Sequence, residues 1–238
     1  MGAPLSKILS EQGHEVIVTS RSKYTTKNNI RYIQANAKNL RTIKSILSKD
    51  KYDVIVDFFV YNTQEFKERI DLFLNSTLQY VYISSCRVFA VTKDKITEET
   101  PRVLDITSSN KIIDCEDYSL TKARQEDMLF NHKKKNWTIV RPSLTYNSNH
   151  FPLGPLEKEQ WLYRTLHGRS IVFSEDMKNV KTALAYGDDV AKSIGSLIGN
   201  EKALGEDFNI ASEHSETWGG ILSVYINILL NSATLLQI

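Results

Sequence analysis

The chain has 238 residues, enough for one large domain or for a main domain with a smaller lobe. Its 30 Lys and Arg nearly cancel its 28 Asp and Glu, leaving a formal net charge of +2; the overall balance carries neither a nucleic-acid footprint nor an acidic tail. Two cysteines, Cys86 and Cys115, without metal-ligand spacing, exclude a disulfide framework and point to a reducing, cytoplasmic setting with no bound metal.

The N-terminus lacks a basic flank followed by an apolar core, so it is not read as a signal peptide. Leu5, Ile8 and Leu9 recur at helical spacing, and Gly13 stands where a helix would end in a left-handed cap. Strands are expected at Glu15 to Thr19 and Arg31 to Gln34, a helix around Leu40 to Leu47, a buried strand at Asp53 to Val60, a helix from Thr63 to Leu74 and a strand at Tyr80 to Ser84. Strands alternating with helices, and lacking a polar face, predict an α/β domain with a parallel sheet covered on both sides.

A long irregular stretch, Val91 to Asp117, is of a length usually kept for function. A helix from Tyr118 to His132 follows, then a solvated loop with Lys133, Lys134 and Lys135, and a strand at Thr138 to Val140 that leads into Arg141 and Pro142. Beyond Tyr146 the chain turns polar and turn-rich, which places a main domain at 1–147 and a smaller lobe at 148–238. The apolar stretch Ile221 to Ile238 is interrupted by Asn227, Asn231 and Ser232, so it reads as a packed terminal helix and not as a membrane span.

Three constellations could carry chemistry. Tyr118 and Lys122 stand four apart, so a phenol and an ammonium share one helix face. A nearby ammonium favours the phenolate and makes it a usable general acid or base. The strand YVYISS ends in Ser84 and Ser85, placing hydroxyls at the carboxyl edge of a parallel sheet, where open α/β sheets bind ligands. Ser85 could hydrogen-bond a substrate oxygen as charge develops on it, or only satisfy local backbone groups. The third is Thr19-Ser20-Arg21, which offers a hydroxyl and a guanidinium and no carboxylate; in a dinucleotide fold that pattern favours NADP(H) over NAD.

Taken in order, SSCRVF, the long loop, YSLTK, TIVRP and the late ALAYGDDVAKSI resemble the NAD-dependent epimerase/dehydratase branch of the extended short-chain dehydrogenase/reductase superfamily, from Gly2 to about Tyr225. The resemblance implies a Rossmann-like, doubly wound parallel sheet with a small C-terminal substrate lobe. Tyr118 matches the catalytic tyrosine, Lys122 the lysine that binds the nicotinamide ribose, and Ser85 the catalytic Ser/Thr. Asn36 matches an adenine-contacting position, Phe58 and Phe59 lie beside the expected pyrophosphate and ribose, and Pro142 borders the nicotinamide. Asp189 matches a structural position. Cys86 and Arg87 replace the Asp-Glu pair of the 4,6-dehydratases, which disfavours dehydration and leaves epimerisation or carbonyl reduction.

Gly2 matches the third glycine of the family's G-x-x-G-x-x-G turn, so the first strand and two glycines are expected to be missing, leaving neighbouring strands with unpaired edges. The implied function is NAD(P)-dependent hydride transfer on a sugar-type substrate, a nucleotide sugar by analogy, in a protein without nucleic-acid or membrane partners and with homodimers common among its relatives. The alternatives are a non-catalytic dinucleotide-binding or regulatory relative, some of which bind RNA, and an inactive shortened chain.

Overall fold

The computed structural model describes residues 1–108 and 115–235. Its first half runs α1 (Gly2–Glu11), β1 (Val16–Ser20), β2 (Ile30–Gln34), α2 (Leu40–Leu47), β3 (Tyr52–Asp57), α3 (Thr63–Lys67), α4 (Ile70–Asn75), β4 (Thr77–Ile83), a 3-10 turn at Cys86–Val88, α5 (Val103–Ile106), α6 (Tyr118–Phe130) and β5 (Trp137–Pro142). There follow β6 (Leu144–Tyr146), α7 (Lys158–Leu166), α8 (Glu175–Lys178), β7 (Lys181–Thr182), β8 (Leu184–Tyr186), α9 (Gly187–Leu197), β9 (Glu206–Ile210), β10 (Glu216–Thr217) and α10 (Trp218–Leu235).

The chain forms two compact units, one of residues Met1–Ser143 with Asp188–Ile210, the other of Leu144–Gly187 with Ala211–Ile238. The division expected after residue 147 therefore differs from the one observed. The chain returns to the first unit because β9 pairs in parallel with β5, with Val140 opposite Phe208, and this pairing needs a long-range match that local composition does not display.

In the first unit every strand pair is parallel, in two sheets: β1-β2, and the four-stranded β3-β4-β5-β9. The α/β, Rossmann-like class is as expected. Among the described residues β1 pairs only with β2, and β3 only with β4.

Strand β5 is buried along its whole length, and Tyr80 to Ile83 of β4 are buried too, as central parallel strands require. Their core is aromatic: Phe66, Phe73, Tyr80, Tyr82 and Trp137 pack with Leu74, Leu129 and Ile139. The helix expected from Thr63 to Leu74 is split into α3 and α4. Arg69 lies at the break, 4% exposed, and turns its guanidinium inward to the carbonyls of Glu65 and Lys38. Gly13 has the left-handed φ of +91° expected of a helix-ending glycine.

The second unit holds the parallel pair β6-β8 and the antiparallel pair β7-β10. Leu153, Trp161, Trp218 and Ile221 form its core, with the Trp161 and Tyr225 rings stacked at 4.7 Å. The terminal helix α10 supplies Trp218, Ile221 and Tyr225. Among the described residues no helix is long and apolar enough to cross a membrane.

Candidate active site

The carboxyl end of β4 is gripped from one side by α6. Lys122 is 2% exposed, and its Nζ donates to the carbonyl of Ile83 at 2.8 Å while lying 4.6 Å from the centre of the Tyr82 ring. Burial lowers its pKa to about 8, against the pull of the Asp57 and Glu126 carboxylates, so the group is still mostly an ammonium at neutral pH.

Two residues past Ile83 stands half-buried Ser85. Its backbone is extended and its Oγ accepts the Arg87 amide at 3.2 Å, which leaves the hydroxyl proton free to be donated elsewhere. Tyr118 opens α6, whose N-cap Asp117 accepts the Ser119 amide at 2.8 Å; that bond holds the Asp117 carboxyl below its usual range. The Arg87 guanidinium lies 5.4 Å from the centre of the Tyr118 ring, joining the serine turn to the tyrosine. Ser85, Tyr118 and Lys122 are thus gathered around the end of one strand.

Beneath them α6 presents a buried polar face that the sequence reading missed. Gln125 accepts the Tyr82 hydroxyl at 2.5 Å and donates to the Tyr61 carbonyl at 2.9 Å. Glu126, fully buried, accepts Ser84 Oγ at 2.5 Å and takes Arg141 in a two-pronged pair at 2.8 and 3.0 Å. Arg141 also bonds Asp207, and Arg102 reaches Glu126 at 3.3 Å. The signal available in the sequence was a third polar residue at the same spacing of four, after Tyr118 and Lys122.

Asp57, at the end of β3, is the other acid buried among the described residues. Burial raises its pKa, while the Phe59 amide and the Tyr80 hydroxyl, each at 2.9 Å, favour its charged form. Cys86 donates to the Arg141 carbonyl, and burial pushes its thiol up to about 11, which makes it a poor nucleophile at neutral pH.

The remaining predicted residues fall into separate groups. Pro142 ends β5, two residues past Val140, whose carbonyl accepts the Ser84 amide at 2.7 Å. Gly2 opens α1 beside Phe58, and a Cβ placed on it would meet that ring at an ordinary 3.7 Å. Phe58 is 37% exposed. Phe59 instead packs on the core, its ring 5.1 Å from that of Tyr61. Ser20, Arg21 and Asn36 come together at the carboxyl ends of β1 and β2: Ser20 pairs with Gln34, the Ala35 amide donates to the Ser20 carbonyl, and Gln34 donates to the Arg21 carbonyl at 3.2 Å. Asn36 Oδ1 accepts the Lys38 amide. Asp189 pairs with Lys192 at 2.9 Å, a surface contact.

This donor set suits a dinucleotide. Among the described residues α1 has no side-chain cap at Met1, and a helix N-terminus favours an anion. Arg21, Ser20 and Asn36 offer polar groups at one place, and Lys122 and Ser85 at another. Among the described residues no cluster of His, Cys, Asp and Glu could hold a metal ion.

The parallel α/β sheet is an architecture in which ligands bind at the carboxyl ends of the strands. A model of the NAD dependent epimerase/dehydratase family matches residues 1–211, and the chain belongs to that family. The chain is 27% identical over 93% of its length to the chloroplast stem-loop binding protein of 41 kDa b of Arabidopsis thaliana, and spans 58% of that relative. Among solved structures, dTDP-glucose 4,6-dehydratase from Bacillus anthracis, in complex with NAD, superposes with a TM-score of 0.73 at 17% identity, over 96% of this chain and 77% of that one. UDP-glucuronic acid 4-epimerase from Bacillus cereus, in complex with UDP-glucuronic acid and NAD, superposes with a TM-score of 0.67 at 13% identity, over 90% and 75%.

Proposed function

We propose that the chain acts as an NAD(P)-dependent epimerase or reductase on a sugar-type substrate, a nucleotide sugar by the company of its structural neighbours. The observation that carries this reading is the buried Lys122 side chain bonded to the Ile83 carbonyl at the end of β4, two residues before Ser85, on the helix that Tyr118 opens. Bound NAD(P) would supply or accept a hydride. Tyr118 then gives or takes the proton of the substrate oxygen, Ser85 donates a hydrogen bond to that oxygen, and Lys122 holds a positive charge below both. Gly2, Phe58, Asn36 and Pro142 would line the dinucleotide, with Phe59 acting from behind as packing.

Ser20 and Arg21 support NADP(H) over NAD(H), because a guanidinium complements a 2′-phosphate and no carboxylate stands at that strand end to bind the free ribose hydroxyls. Fluorescence titration of the chain with NADPH and with NADH tests both statements. Tighter NADPH binding that is lost in Arg21→Ala is the expected result, and equal affinities would reject the NADP(H) preference. Tyr118→Phe should retain the cofactor and lose about 10²- to 10⁴-fold in turnover.

A second reading is favoured by one observation. The relative at 27% identity, closer in sequence than the neighbours at 13 and 17%, is named a stem-loop binding protein, and a stem-loop is a form that folded RNA takes. On this reading the fold serves as an RNA-binding platform, with or without turnover. Binding of a labelled RNA hairpin by the chain tests it directly, and no binding at low ionic strength rejects it.

A further inference from the structure

The charge of this chain is unevenly spread. From Val16 to Lys49 there are eight Lys and Arg and no Asp or Glu, so a stretch of formal charge +8 is balanced by −6 over the rest. Part of it is neutralised by its surroundings: Arg31 pairs with Asp50 at 2.9 Å and Lys38 with Glu65 at 3.0 Å. Arg21, Lys23, Lys27, Arg41 and Lys44 are exposed and have no carboxylate partner among the described residues. By contrast, two ammonium groups of the Lys133 to Lys135 run are spent on backbone carbonyls, Lys134 on Leu74 and Lys135 on Phe130.

The loop between β1 and β2 concentrates this free charge. Every residue from Arg21 to Asn29 is exposed. Tyr24, 57% exposed, sits between Lys23 and Lys27 with its ring 5.2 Å from that of Tyr32, so one flank is supported and the rest faces solvent. The loop's return is fixed: Lys27 and Ile30 exchange two backbone hydrogen bonds at 3.1 and 3.2 Å, Asn28 takes a left-handed φ of +52°, and the Val16 amide donates to the Asn29 carbonyl at 2.8 Å. An aromatic ring held open between unpaired cations, on an anchored loop, is the chemistry that receives an unpaired base and the phosphates on either side of it.

We propose that the β1-β2 loop, through Lys23, Tyr24 and Lys27, is a docking surface for the single-stranded loop of an RNA hairpin. The proposal rests on the RNA-binding reading above and specifies where that binding occurs. Tyr24 stacks on an exposed base, which a fully paired stem cannot offer, and the lysines neutralise adjacent phosphates. Arg21, at the end of β1, lies at the border of this surface and of the dinucleotide position proposed for it.

The test is fluorescence polarisation of a labelled RNA hairpin across a salt series, with four proteins: wild type, K23E/K27E, Y24A, and K93E/K95E, whose exposed loop lysines give the same change in net charge. Arg21 is left intact, and thermal unfolding midpoints check that each variant is folded. K23E/K27E should weaken hairpin binding about tenfold or more and make the plot of log affinity against log salt shallower by between about one and two. Y24A should weaken it several-fold while leaving binding of a fully paired duplex unchanged, and K93E/K95E should stay within about twofold of wild type. Equal losses in the two lysine pairs, with wild-type binding intact, would overturn this surface and leave the RNA reading standing. Failure of the wild type to bind any hairpin at low salt would overturn both. A Y24A protein that loses hairpin and duplex equally, or neither, would overturn the stacking role.

Discussion

The end of β4 and the end of β1 occupy equivalent places, each the carboxyl edge of a parallel strand, yet they are built by opposite means. At β4 the polar groups are buried and tied to one another: Lys122 to Ile83, Gln125 to Tyr82, Glu126 to Ser84 and to Arg141. At β1 the cations are exposed and most are unpaired, while backbone bonds and the Ser20 and Gln34 side chains set the loop. Geometry at the first edge is over-determined, which suits the proton transfer proposed for it. The second edge holds charge without fixing where each charge points, which suits a flexible polyanion or a phosphate. Substitutions should therefore weigh very differently on the two.

The largest effect is expected at Glu126. Replacing it by Ala leaves the buried Arg141 guanidinium with only Asp207 and strips the partner from Ser84. Breaking a buried pair by removing one member costs about 3 to 5 kcal/mol, so denaturant unfolding of Glu126→Ala should show a loss of that size. A loss below about 1 kcal/mol would mean that the polar face of α6 is solvated and that the contrast between the two edges fails.

Lys122 sharpens the contrast through pH. Its folded-state pKa is lowered from 10.5 to about 8, mainly by burial. Below about 8 the side chain is charged both folded and unfolded, and the burial of that charge opposes folding. Between about 8 and 10.5 the folded chain binds fewer protons than the unfolded one, so the wild type should gain stability as pH rises. Lys122→Met removes the titration. The difference in unfolding free energy, wild type minus Lys122→Met, should be flat up to about pH 8 and then rise. A difference that falls over the same window would mean that the Asp57 and Glu126 carboxylates outweigh desolvation at this site.

Much of the β4 edge was legible in the sequence because its chemistry repeats locally. Tyr118 and Lys122 declare themselves by a spacing of four on one helix, and Ser85 by ending an apolar strand. Glu126 continues the same spacing but was not legible, since an isolated Glu on a helix reads as a solvated side chain. Its burial depends on Ser84 and Arg141, which lie 42 and 15 residues away. The break between α3 and α4 was hidden for the same reason: Arg69 interrupts the helix to reach the Lys38 carbonyl, 31 residues distant. At β1 the obstacle was averaging. A near-zero net charge over the whole chain concealed a long stretch without any acid, and only a windowed count shows it.

The smallest effect on folding is expected at the β1-β2 loop, and it is informative because it is small. Lys23 and Lys27 are exposed, and neither side chain is bonded to a carboxylate among the described residues. Exchanging both for Glu removes no packing, cap or buried partner. Surface changes away from such features stay within about 0.5 kcal/mol each, so the unfolding midpoint of K23E/K27E should match that of the wild type closely. It should even rise slightly at low ionic strength, because two acids placed in a stretch of charge +8 relieve like-charge repulsion. Added salt should erase that gain. If the exchange instead destabilises the fold strongly, these lysines make contacts that support β1 and β2, and the free charge at this edge is a structural feature and no longer one available to a ligand.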